Sequence, residues 1–68
     1  MRRLKELRQD RGLSARELSR RAALDPSTLS LIETGRLTPY PVQLQRIAVA
    51  LRFKGDPAAL LDEVGSDA

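Results

Sequence analysis

The run from Ser14 to Gly35, SARELSRRAALDPSTLSLIETG, decides how this chain folds. It opens on a capping box: the Ser14 hydroxyl is placed to accept the N–H of Glu17, and the Glu17 side chain to reach back to residue 14. Leu18 and Ala22 share a face four residues apart. Only Ala23 and Leu24 then precede Asp25-Pro26, an N-cap acceptor followed by proline at the first helical position. Leu29 and Ile32 face one way along the next helix, and Gly35 ends it. Two helices joined so tightly cross steeply. Their shared core is expected to be Leu18, Ala22, Leu24, Leu29 and Ile32, which leaves Ser27, Leu31 and Thr34 pointing outward. A short helix standing out from a compact base, beside basic residues, has the shape that enters a major groove.

The flanks carry the same helical spacing. Upstream, Leu4 and Leu7 share a face and Gly12 is a C-terminal stop. Downstream, a helix starting near Pro41 places Leu44, Ile47, Ala48 and Leu51 at intervals of three and four. Asp56-Pro57 repeats the cap-then-proline pattern ahead of Leu60, Leu61 and Val64. No alternating β-branched run supports a strand. The spacing predicts helices over 2–11, 15–22, 26–34, 41–52 and 57–64, a compact all-α five-helix bundle forming one domain over 1–64. Its helix-turn-helix covers 15–34, and residues 65–68 read as a flexible tail. The expected core is Leu4, Leu7, Leu18, Ala22, Leu29, Ile32, Leu44, Ile47 and Leu51.

With 68 residues the chain holds one domain and a modest core. It has neither cysteine nor histidine. That removes disulfides, thiolate metal sites, the usual general base and the commonest nitrogen ligand together. No metal, cofactor, small-molecule substrate or enzymatic activity is therefore expected. Asp62 and Glu63 are adjacent carboxylates with no catalytic partner, read as solvated. One Tyr, one Phe and no Trp make a stacking platform for single strands a poor fit. No apolar stretch approaches the ~20 residues a membrane span needs, and no signal-type apolar run follows Arg2 and Arg3. The net charge of +3 is uneven: residues 1–36 hold nine Lys/Arg and five Asp/Glu, and residues 37–68 hold three and four. A basic first half points to a polyanionic partner.

Taken together, Leu4-Lys5-Glu6-Leu7-Arg8, Gly12-Leu13-Ser14, Glu17-Leu18 and the run from Ser27 to Arg36 resemble the Cro and phage-repressor (XRE) helix-turn-helix family, with Pro39 and Leu44 to Leu51 matching the following loop and helix. The resemblance covers roughly residues 2–53. It implies five helices, a recognition helix at 26–34 and operator DNA as ligand. It implies that Arg8 and Glu33 form an orienting ion pair, with Arg8 beside a DNA phosphate. It places a phosphate near position 15 and base edges near 26, 27 and 31. The chain departs from the family at Ala15, where Gln is usual, and at Pro26 and Leu31, where Gln, Arg or Lys often stand. Ala23 replaces a usual Gly at the turn, and Tyr40 a frequent Ser cap.

These residues lead to a sequence-selective, cytoplasmic, nucleoid-associated regulator of the repressor kind that binds double-stranded DNA. Ser27, Thr28 and Leu31 are the candidate base contacts; Arg8, Ala15, Arg16, Arg20 and Arg36 are the candidate phosphate contacts. Arg2, Arg3 and Lys5 read either as a fraying helix start or as an arm that follows phosphates. Leu60, Leu61 and Val64 read first as core and second as a homodimer contact. The competing reading is a protein-interaction module on the same scaffold, using Leu31, Leu37 and Tyr40, or the last helix, to hold a protein partner.

Overall fold

The computed structural model describes residues 2–64. Within them lie four α-helices: α1 (Arg3–Asp10), α2 (Ala15–Arg21), α3 (Pro26–Glu33) and α4 (Pro41–Ala50). A 3₁₀ turn, Pro57–Leu61, follows. Each α-helix is one or two residues shorter than the spacing predicts, because the cap residues stand outside it. The expected tail at 65–68 lies outside the described residues.

The fifth helix is corrected. Asp56 caps the last segment through its carboxylate, which accepts the Ala58 N–H at 3.1 Å. The segment then leaves helical geometry at Asp62, with φ −68° and ψ 146°. The cause is tertiary. The Arg3 N–H donates to the Asp62 carbonyl at 2.8 Å, and Arg2 and Glu63 form a single antiparallel bridge. A short helix gains little from one further turn, so pairing with the chain start prevails over continuing the helix to 64.

All four α-helices close in the same way. A residue just beyond the C-cap takes a left-handed conformation, and the last carbonyls receive two backbone bonds. Gly12 and Gly35 fill that position after α1 and α3, with φ of 71° and 82°. Ala23 and Arg52 fill it after α2 and α4, both at φ 56°. A Cβ there costs roughly 1–2 kcal/mol. After α2 the paired bonds are Ala23 N–H to Arg20 O at 3.2 Å and Leu24 N–H to Ser19 O at 2.8 Å. They fix the tight turn into α3 despite the strained alanine.

The core gathers Leu4, Leu18, Ala22, Leu29, Ile32, Leu44, Ile47, Ala48, Leu51 and Leu60. Leu7 and Leu24, expected inside, are half-buried and pack on its edge. Leu60 is fully buried, so the last segment completes the core from the far side. It packs on α1 and α4, while α2 packs on both α3 and α4. Alpha-3 is therefore supported from behind by α2 and leaves its front open.

Candidate nucleic-acid interface

Alpha-3 reads PSTLSLIE. Its inward residues Leu29, Ile32 and Glu33 are buried. Its outward residues Pro26, Ser27, Ser30 and Leu31 are exposed, and Thr34 continues the same face at the C-cap. Glu33 is the helix's one charge and it faces inward, so the outer face is neutral. Thr28 lies half-buried at its margin. Leu31, at 42% exposure, forms the apolar part of that face.

The hydroxyls on this face are not equivalent. Ser27 donates to the Asp25 carboxylate. Asp25 was expected to cap the α3 backbone; it makes no such bond, and one of its oxygens accepts from the Ser27 hydroxyl instead. With its proton directed to Asp25, Ser27 has its lone pairs left to offer outward. Thr34 donates into the helix, to the carbonyls of Ser30 at 3.0 Å and Leu31 at 3.2 Å. The Ser30 hydroxyl has no intramolecular partner among the described residues and keeps its donor free. Ser30 was missed from the sequence, although it stands three residues beyond Ser27 on the same face.

A buried clamp sets the angle of α3. Arg8 Nε donates to Glu33 Oε2 at 2.7 Å, and Nη2 to Glu33 Oε1 at 3.3 Å. The third nitrogen, Nη1, donates to the Leu13 carbonyl at 2.9 Å. The two side chains are only 12% and 6% exposed. Such a fork joins α1, the turn before α2 and the end of α3 at one point. Arg8 is thus occupied within the protein. Arg2 lies on the same end of α3, with Nη1 donating to the Ile32 carbonyl at 3.2 Å. A cation there complements the negative end of the helix. Arg2 is a fixed strut, and only Arg3 and Lys5 remain of the expected arm.

The flanking arginines are placed differently. Arg16 follows Ala15 at the start of α2 and is exposed. Ala15 itself is half-buried and packs against the core. Half of the expected capping box is present: the Glu17 N–H donates to Ser14 Oγ at 3.0 Å. The Glu17 carboxylate does not return to residue 14. It lies 3.9 Å from Arg20 and 4.0 Å from Arg21, loose pairs on an exposed helix. Arg36 follows α3 directly; its N–H donates to the Leu31 carbonyl at 2.9 Å and its side chain is exposed. Among the described residues neither Arg16 nor Arg36 has an ion-pair partner. Of the expected dimer residues, Leu60 is withdrawn into the core, while Leu61 and Val64 are half-buried.

Among the described residues no group of three or more carboxylates, histidines or cysteines could hold a metal ion. No helix among them is long and apolar enough to cross a membrane. A family model described as a helix-turn-helix domain matches residues 2–61. The chain belongs to that helix-turn-helix family, in keeping with its resemblance to the Cro and phage-repressor domains. The match runs past the stretch that carried the resemblance and takes in the 3₁₀ turn. No curated protein and no solved structure gives a significant match.

Proposed function

We propose that this domain is a sequence-selective transcriptional regulator that lays α3 in the major groove of duplex DNA, one copy on each half-site of a paired operator. The observation that carries this reading is the division of labour around α3. Its outer face is neutral and polar-to-apolar, its inner end is locked by Arg8 and Glu33, and unpaired arginines stand at the start of α2 and just after α3. Phosphate contacts hold a domain in register, while side chains on the groove-facing helix read the base edges, and here those side chains are neutral.

In this reading Arg16, Arg20 and Arg36 neutralise phosphates, with the backbone at Ala15 beside one of them. Arg8 acts through Glu33 by fixing α3. Ser27 accepts from an exocyclic base amine, Ser30 donates, Thr28 contacts the margin, and Leu31 packs on a thymine methyl. No bidentate reader stands on the helix, so discrimination is shallow and leans toward thymine. DNA shape supplies part of the selectivity. Leu61 and Val64 are what remains of the expected dimer contact.

A second reading has its own support. Leu31, Leu37 and Tyr40 are 42%, 38% and 72% exposed, a surface that a protein partner could cover. Selection from a random duplex library, run with the parent and with Leu31→Gln, separates the two. The proposed function predicts a thymine-containing consensus that changes at one position per half-site in Leu31→Gln. An unenriched parent library refutes it.

A further inference from the structure

The outer face of α4 carries two of the exposed large apolar residues. Val42, Gln45, Arg46 and Val49 recur at intervals of three and four, so they form one stripe. Val49 is 71% exposed and Val42 is 53% exposed. With Arg21, from the end of α2, these residues line a groove of about 250 Å³. Arg21 also lines a second hollow of about 200 Å³, together with Arg11, Leu13, Ala50, Leu51 and Arg52. The two hollows therefore adjoin along α4. Four arginines frame them, and neither lining includes an acidic residue. Glu17 approaches Arg21 only at 4.0 Å, with both side chains well exposed.

Two of these arginines are placed by backbone structure. Arg11 Nε donates to the Leu51 carbonyl at 2.9 Å, which pins it over the end of α4. Arg52 occupies the left-handed position after α4, at φ 56°. This surface also differs in chemistry from the α3 face. Phosphates gain nothing from desolvating a pair of valines, whereas an amphipathic peptide gains from both the valines and the rim. An isologous contact between two copies would set one arginine-framed face against another.

We infer that the α4 groove is a docking site for an acidic amphipathic helix of another protein. Its apolar residues seat between Val42 and Val49, and its carboxylates pair with Arg21, Arg46, Arg11 and Arg52. Arginine suits this role, since its planar fork takes a carboxylate through two parallel bonds. Charge complementarity of this kind selects the partner and speeds encounter. From Val42 to Val49 the stripe spans about 10 Å, which matches two turns of a partner helix. The site does not depend on the DNA reading.

The test is a selection of helical peptides from a random display library against the full chain. Binders are then titrated into the parent, Val49→Glu, Arg46→Glu and Leu31→Gln, with amide shifts mapping the contact. Val49 and Arg46 are exposed, and melting curves check that their variants remain folded. The expected result is enrichment of acidic peptides with apolar residues at helical spacing. Their affinity should fall about tenfold or more in Val49→Glu and Arg46→Glu and stay unchanged in Leu31→Gln. Failure to enrich, enrichment of neutral or basic peptides, or indifference to Val49→Glu overturns the inference. So does a duplex titration that shifts the amides of Val42, Arg46 and Val49, which would make the face a phosphate surface. Self-association that Val49→Glu abolishes would assign the face to a second copy and overturn it as well.

Discussion

Removing Arg8 should be far more damaging than its place on a short helix suggests. The Glu33 side chain is 6% exposed, and its two oxygens are met by Arg8 Nε at 2.7 Å and Nη2 at 3.3 Å. In Arg8→Ala the carboxylate stays buried without its cation, and the Leu13 carbonyl loses a donor. Breaking a buried pair on one side costs about 3–5 kcal/mol. A chain of this length has a total stability of roughly 3–10 kcal/mol, so the variant should lose about a third or more of it. Glu33→Gln keeps one acceptor for Arg8 but turns an NH2 toward its other N–H and leaves the guanidinium without its anion, so it too should lose about 3–5 kcal/mol. Replacing both, as in Arg8→Met with Glu33→Leu, leaves no orphan charge and should recover most of what Arg8→Ala loses. Urea denaturation of the four proteins, followed by circular dichroism, gives the ordering directly. If Arg8→Ala loses less than about 1 kcal/mol, the pair behaves as a surface salt bridge, and the clamp on α3 is wrong.

Ala23→Gly should stabilise the domain, because the strain of about 1–2 kcal/mol at φ 56° is relieved and only part is returned as unfolded-state entropy; a rise in melting temperature of a few degrees is expected, and a fall would mean the turn is unstrained. Leu60→Ala should cost about 2–5 kcal/mol, as for a core leucine, whereas a residue of a dimer contact would instead change the mass in solution. Asp25→Ala should leave α3 nearly as stable, since Asp25 makes no bond to the helix backbone, yet should change base preference by freeing the Ser27 hydroxyl to donate. The stability half is read by thermal melting and the preference half by library selection; a loss of more than about 1 kcal/mol would restore Asp25 as a true cap.

What was legible in the sequence was what short-range chemistry controls. Gly12 and Gly35 marked helix ends because the left-handed position favours glycine, and both occupy it. The inward faces of α2 and α3 followed from spacing alone. Local competition was harder to read. Asp25 looked like a cap, but it turns one oxygen to a serine two residues on and none to the helix backbone, and only the folded geometry decides which bond forms. The last segment lay further out of reach, since its helix is cut short by pairing between Asp62 and Arg3 from opposite ends of the chain. The same distance in sequence hid Arg2, whose guanidinium ends against Ile32 and Gly35. The Arg8–Glu33 pair, 25 residues apart, was visible only through the family resemblance, because no periodicity joins such positions.

The central claim is that the arginines around α3 hold the phosphates of duplex DNA. It is tested most directly by the salt dependence of binding to a nonspecific duplex. Each phosphate neutralised contributes a slope of about −0.9 in log K against log salt. Contacts from Arg16, Arg20 and Arg36 predict a slope near −2.7 per domain, and each substitution to Ala should reduce its magnitude by about 0.9. Binding that is absent at low ionic strength, or that ignores salt and the three substitutions alike, would contradict the account.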